Sequence, residues 1–474
     1  MKTFNDLEVH SSKTAVISED GERLSFLELV DEADLFLRGV HKRSLAILLC
    51  SNTVASIVTY IGLVRQGHVP ILLPGDVSNK MLTAVLEAYK PQLVAFPTSA
   101  SIESFQDFEV FGSNRGYSIS RTGFATARMH DQLALLVPTS GTTGSPKMVR
   151  QSSTNLDTNA AAISQSLGLT SDDCAITTLP MSYVYGLSII NSQFLVGGSV
   201  VVTARSITDR VFWNQLREHK ATYFGGVPYT YEVLNRLGLS QLVGTKIRMM
   251  TQAGGRLSSK IAASIHSQAK SQGIDFHIMY GQTEATARMS LLHADEFEHR
   301  PTSIGKAIPG GAIAIVNPET HDNVRTNEVG EIEYRGPNVA LGYADNQKDL
   351  DKGDEFSGRL LTGDLGYLDG QGFAFITGRK KRFAKILGLR INLDDVEEKL
   401  ATNGVTAACT ESRGILDIWV SEELEIPKAA QEVTNWLGLP KSLISVRRID
   451  KFPRSSSGKV VYEALTERSD APRN

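Results

Sequence analysis

Ser44-Leu45-Ala46-Ile47-Leu48-Leu49-Cys50 is a short apolar run fit for a buried strand. The chain that follows it alternates in texture. Residues 53–66 read as a helix, 68–73 as a strand, 79–89 as a helix and 92–96 as a strand. That alternation predicts an α/β layer around a mostly parallel sheet. Just upstream, Ser25-Phe26-Leu27-Glu28 has the form of a capping box. Phe26, Leu29, Val30, Ala33 and Leu37 then recur at helical spacing. The α/β pattern resumes after Thr154, with strands expected over 198–203 and 221–225.

Texture changes after about Gly305. Residues 310–316, 330–334 and 372–376 are short alternating segments bounded by Gly, Asn and Pro, and they predict a small antiparallel, barrel-like β unit. A dense basic stretch, Arg379-Lys380-Lys381-Arg382, precedes a helix with an acidic start and a strand–helix–strand tail. The fold expected is therefore α/β with an α+β C-terminal domain. A large part, 1–378, holds two α/β lobes and the β unit; a small mobile domain, 379–474, follows.

Composition excludes several classes. The 474 residues are 41% hydrophobic and 21% charged, which is ordinary for a globular chain. Lys and Arg number 49 and Asp and Glu 52, a formal charge of −3, so bulk binding to nucleic acid is disfavoured. Cys50, Cys174 and Cys409 lie too far apart for a zinc spacing or a disulfide framework. The polar start, Met1 to Asp6, lacks a signal-peptide core, and no apolar run is long enough to span a bilayer. A cytoplasmic protein is expected. Glycine stands out at 40 residues against 16 prolines, which suggests tight turns and close backbone approach to a ligand.

The strongest local signal is Thr139-Ser140-Gly141-Thr142-Thr143-Gly144-Ser145-Pro146-Lys147, after the strand-like run 133–137. Hydroxyls, glycines and a lysine offer donors and a cation to an anion. Pro146 stands where a Walker loop needs glycine, so this is not that motif. From composition alone, an anion cradle and a flexible Ser/Gly linker remain equally open. Tyr280-Gly281-Gln282-Thr283-Glu284 sets a carboxylate beside a hydroxyl, and Leu361-Thr362-Gly363-Asp364 sets another at a turn. Ser455-Ser456-Ser457-Gly458-Lys459 puts a lysine on a Ser/Gly loop. Singly, these read as a helix cap, a β-turn and a floppy tail, and a lone Asp in a Gly-Asp turn is far more often structural than catalytic.

In this order and spacing, the motifs together resemble the adenylate-forming, AMP-binding enzymes: acyl- and aryl-CoA synthetases, peptide-synthetase adenylation domains and firefly luciferase. The resemblance runs from about residue 10 to the end. It implies that Thr139, Ser140, Gly141, Thr142, Thr143, Gly144 and Lys147 hold the ATP β/γ-phosphates. Gly254, Gly255 and Arg256 would line the adenine, and Tyr280, with Gly281 and Gln282, would face it. Thr283 would contact phosphate and Glu284 would bind Mg²⁺. Asp364 would accept from the ribose hydroxyls with Arg379 beside it. Lys459 would touch both the reacting carboxylate and the α-phosphate. Lys381 would be the hinge of a rotating C-terminal domain, bringing Gly388 to the pantetheine thiol for a second step.

The resemblance further implies ATP, Mg²⁺ and CoA, or a carrier protein's phosphopantetheine, as cofactors. The function implied is activation of a carboxylic acid to an acyl-adenylate with release of pyrophosphate, then transfer to a pantetheine thiol, CoA first. Carrier-protein loading or amide formation with an amine is the alternative, and a non-catalytic nucleotide-binding protein is a second. The chain departs from the family at Tyr183, where relatives often have His. No Asp occurs from Pro180 to Asn191, which argues against an α-amino acid. The acyl pocket is expected to be walled by Tyr183, Gly186, Val227, Pro228 and Ala253, a mostly apolar set that suits an aryl or alkyl acid. No insertion interrupts 364–378, unlike fatty-acyl relatives that stop at the adenylate.

Overall fold

The computed structural model describes residues 2–100, 102, 105–106, 108–138, 147–380, 382–387, 389–455 and 458–470. Strand Leu45–Cys50 is buried along its whole length. It pairs in parallel with Val69–Pro74 on one side and Leu93–Pro97 on the other. Helix Val54–Arg65 makes the first crossover and helix Asn79–Tyr89 the second. Thr53 and Ser78 cap them, each hydroxyl accepting a backbone N–H of the first turn. Strand Leu133–Pro138 extends this sheet in parallel beside Val69–Pro74. It then pairs antiparallel with Met148–Ser152, so the hairpin's two strands flank the Ser/Thr/Gly segment. Among the described residues this sheet has eight strands.

The second sheet has 13 strands among the described residues. Its centre is parallel: Ser199–Val201, Cys174–Ile176, Tyr223–Gly226, Met249–Gln252 and Asp275–Tyr280 lie side by side. Two features could not be read from periodicity. The N-terminal strand Thr14–Ile17 does not join the sheet of the lobe that follows it in sequence. It pairs with Ser199–Val201 at the edge of the second sheet. The antiparallel strands Ala312–Val316, Gly330–Arg335 and Ala374–Arg379 are present where alternation places them, and strand Arg359–Leu368, which alternation does not mark, pairs between the last two. They continue the second sheet through Ser303–Ala307 rather than standing apart.

Between the sheets lie helices that are buried on every face, as their near-continuous apolar sequences require. All residues from Val54 to Val64 and from Val184 to Phe194 are buried. Val58, Ile61, Leu187, Ile190 and Phe194 share one core with residues of both lobes. Each such side chain contributes about 1.5–3 kcal/mol by leaving water. The capping box at Ser25 and Glu28 forms as read, and the apolar stripe from Phe26 to Leu37 is buried.

The C-terminal unit has its own core. Hairpin strands Phe383–Ile386 and Leu389–Asn392 lead into helix Leu393–Thr402. Strands Ala407–Ser412, Ile415–Val420 and Ile444–Arg448 form a three-stranded sheet, with helix Glu425–Leu437 packed on it. Val396, Leu400, Ile418 and Val433 are fully buried there.

Candidate active site

Thr362-Gly363-Asp364, expected at a turn, lies instead within strand Arg359–Leu368, where the pairing with Gly330–Arg335 slips between Glu331 and Glu333; on the other side Asp364 and Arg379 are register partners. Asp364 is only 4% exposed. Its Oδ2 accepts from Tyr280 Oη at 2.5 Å and from Gln282 Nε2 at 3.1 Å, and its Oδ1 from Arg379 Nε at 3.2 Å. Tyr280 is the last residue of strand Asp275–Tyr280, so the carboxylate sits at the carboxyl end of the parallel sheet, the usual ligand edge in such folds. Burial, reinforced by the Asp364 charge, holds the Tyr280 phenol well above its ordinary pKa, so it stays a donor. Gly281 has no room for a side chain: a Cβ would lie 1.6 Å from the Ala287 carbonyl oxygen.

Each described member of the basic stretch has a carboxylate partner. Lys380 Nζ pairs with Glu331 at 3.0 Å, and the other Glu331 oxygen accepts the Gly363 N–H at 3.1 Å, which holds the irregular strand beside Asp364. Arg382 pairs with Asp394 at 2.7 Å and Glu397 at 2.6 Å. Lys381 lies outside the described residues, as do Thr139, Ser140, Gly141, Thr142, Thr143, Gly144 and Gly388.

Glu284 follows buried Thr283 in a single helical turn, Thr283–Ala285. Its backbone oxygen accepts from Ala340 N at 2.8 Å, and its Oε1 from Tyr343 Oη at 2.9 Å. Gln151 Nε2 anchors the Thr283 carbonyl at 3.0 Å. Lys147, the described end of the Ser/Thr/Gly segment, places Nζ 3.9 Å from the centre of the same Tyr343 ring. Tyr343 thus joins the segment's lysine to the carboxylate. Neither its role nor those of Glu331 and Gln151 has any local motif to announce it.

Lys459 arrives from the C-terminal unit. Its Nζ stands 5.4 Å from the Tyr183 ring centre. Burial pushes its ammonium pKa down to about 8, and Arg379 adds to that. Glu284 and Asp364 pull it back up, so all three groups are felt at one point. The unit docks through Arg454, which pairs with Glu232 at 3.6 Å and lies over Tyr229, and through Glu398, which meets Ser259 at 3.1 Å and Arg256 at 3.6 Å. The Arg256 side chain is therefore engaged with the C-terminal unit, while the Gly254 and Gly255 backbone faces the cleft. Gly254 has φ +85°, and a Cβ there would press on Tyr183 Oη at 2.6 Å.

These groups line one cleft of about 2450 Å³. Of the residues expected to wall the acyl pocket, Tyr183, Pro228 and Ala253 line it. Gly186 and Val227 are buried behind them, Gly186 against the Pro180 carbonyl. The cleft is not wholly apolar near them, because Arg288 also lines it.

Residues 4–344 match the family model described as AMP-binding enzyme, and the chain belongs to that family. In class it is an AMP-forming acid–thiol ligase. The chain is 28% identical to an oxalate–CoA ligase of Arabidopsis thaliana, over 70% of this chain and 66% of that one. It is 25% identical to a 2-succinylbenzoate–CoA ligase of Oceanobacillus iheyensis, over 96% of each. The ATP-bound structure of MatB from Rhodopseudomonas palustris superposes with a TM-score of 0.80 at 22% identity, covering 99% of both chains, which establishes the shared fold. Among the described residues no helix is long and apolar enough to cross a membrane, and all three cysteines are free and buried.

Proposed function

We propose that this enzyme joins an aryl or small-to-medium acyl carboxylic acid to the thiol of CoA, through an acyl-adenylate and with release of pyrophosphate. Attack of a carboxylate on the α-phosphate brings two anions together. The protein must supply charge and hold them in line, and needs no covalent intermediate. The observation that carries this reading is the placement of Lys459: a cation from a separate unit, within electrostatic reach of Asp364, Glu284 and Arg379. A positioned cation where charge builds on phosphorus is worth several kcal/mol.

In this reading Asp364, oriented by Tyr280, Gln282 and Arg379, takes the ribose hydroxyls, and Gly254 and Gly255 border the adenine. Lys147 and the segment before it hold the β/γ-phosphates. Glu284 suits Mg²⁺, which takes one or two hard carboxylate ligands alongside phosphate. Its Oε1 already accepts from Tyr343, which fixes its orientation. Tyr183, Pro228 and Ala253 take the body of the acid. The acceptor is CoA, as in the two named ligases. The present arrangement suits the first half-reaction, with Lys459 at the cleft and Leu387 and Leu389 of the C-terminal hairpin exposed. Rotation about Lys381 would exchange them.

The test is acid-dependent ATP–pyrophosphate exchange across a panel of acids, followed by supply of CoA, a holo-carrier protein or an amine. Exchange with an acid and then acyl-CoA formation is expected. Exchange with no acid overturns the first step; transfer to the carrier or amine but not to CoA overturns the second.

A further inference from the structure

Arg288 is a cation of the cleft that the reading above leaves without work. It is 1% exposed, and no described carboxylate pairs with it. Nη2 donates to Tyr223 Oη at 3.1 Å, Nη1 meets the Met279 sulfur at 3.4 Å, and Nε has no partner among the described residues. The guanidinium carbon lies 4.9 Å from the Tyr185 ring centre. A guanidinium does not lose its proton in a protein, so a full charge is held out of water. Buried ions are normally neutralised by a partner. Here the described surroundings offer rings, a phenol and a thioether, none of them anionic.

The backbone is bent to hold it there. Thr286 and Ala287, the two residues before it, have φ of 60° and 132°, a region that side-chain-bearing residues rarely enter. Thr286 Oγ1 donates to the Asn338 carbonyl at 2.7 Å. Asn159 and Asn338 donate to the Arg288 carbonyl at 2.9 and 3.3 Å. Strain this firmly clamped is characteristic of a functional position. Arg288 shares the cleft wall with Tyr183, Tyr185, Ala253 and Met279. Lys459 stands over the ring of Tyr183 and Arg288 over that of Tyr185, two rings whose centres are 6.3 Å apart. The two cations thus lie against two neighbouring rings of the cleft wall.

We infer that Arg288 receives a second carboxylate at the far end of the acid, and that this ligase selects dicarboxylic acids whose carboxylates are separated by an aryl ring or a short alkyl chain. The inference rests on the acid-activating reading above. The reacting carboxylate lies by Lys459, and the distal one supplies the counter-charge that Arg288 lacks. A guanidinium matches a carboxylate in both charge and planar geometry, whereas an ester in the same place leaves the cation unpaired.

The experiment compares alkyl and aryl dicarboxylic acids with their monomethyl half-esters in ATP–pyrophosphate exchange, for the native enzyme, Arg288→Leu, Arg288→Gln and Arg288→Lys. The native enzyme should favour a diacid over its half-ester by about 100-fold or more in kcat/KM, since a site built for a polar group strongly rejects the analogue lacking it. Arg288→Leu and Arg288→Gln should abolish that preference through KM for the diacid, with KM for ATP unchanged; Arg288→Lys should keep part of it. Equal loss on diacid and half-ester in a folded variant overturns the inference. So does a native enzyme that uses monocarboxylic acids as well as or better than diacids, a comparison that stands even where the variants fail to fold. Exchange with no acid at all overturns the underlying reading instead.

Discussion

Lys459→Ala should remove most adenylation while leaving ATP binding largely intact, a loss of about 10²–10³ in rate if the lysine acts as an electrostatic stabiliser. A sharper test uses its titration. The ammonium pKa falls from 10.5 to about 8, first through burial and then through Arg379. The protonated form is the one that neutralises phosphate, so activity should be lost as pH rises through 8. At that pKa about nine-tenths of the lysines are charged at pH 7 and about one in eleven at pH 9. An ordinary lysine would still be about 97% charged at pH 9. The assay is kcat/KM for acid-dependent exchange between pH 7 and 10, which reports the free enzyme. The expected result is a roughly tenfold fall by pH 9. In kcat the same limb should move to higher pH, because bound phosphates favour the charged form. Lys459→Arg should lower the plateau and erase the limb, since a guanidinium does not titrate in this range. A flat profile to pH 10, or a limb that survives in Lys459→Arg, refutes the reasoning.

Other perturbations probe the neighbouring groups. Tyr280→Phe removes the 2.5 Å bond to Asp364 and should raise KM for ATP by about tenfold or more, as expected for a hydrogen bond to a charged group. Glu284→Gln should move the half-activating Mg²⁺ concentration upward by at least about tenfold, with little change in ATP affinity measured without metal. Arg150 is fully buried, and it donates to the carbonyls of Tyr343 at 2.9 Å and Gly353 at 3.1 Å and to Glu355 at 2.6 Å. Arg150→Ala should cost at least about 1–3 kcal/mol in denaturant unfolding, because buried carbonyl acceptors lose their donor.

What was legible in the sequence divides along physical lines. Strands 45–50, 69–74 and 93–97 and the helices between them could be read because buried parallel strands and sandwiched helices leave a continuous apolar signature. Periodicity names an element but not its neighbour. Thr14–Ile17 precedes the first lobe in sequence, yet its hydrogen bonds go to Ser199–Val201 of the second sheet. The same limit hides the partners of the basic stretch. Arg379, Lys380 and Arg382 form one basic run in sequence, yet each has a different carboxylate, at 364, 331 and 394–397.

Arg288 shows where such reading stops, and why. In sequence it is a single basic residue after Glu284-Ala285-Thr286-Ala287, beside a motif whose resemblance already accounts for its neighbours. Nothing local distinguishes it from a surface arginine. Its character comes from three distant segments: Tyr185 and Tyr223, which bring aromatic surface, and Asn338, which clamps the strained turn. The motifs assign nucleotide roles to a set of residues, and the structure brings Tyr280, Gln282, Glu284, Asp364, Arg379 and Lys459 of that set to one cleft. The residues around Arg288 carry no motif of their own and are brought together by long-range packing. Substrate choice therefore depends on side chains without a motif, and in this cleft the charge placed to make that choice is the buried, uncompensated guanidinium of Arg288.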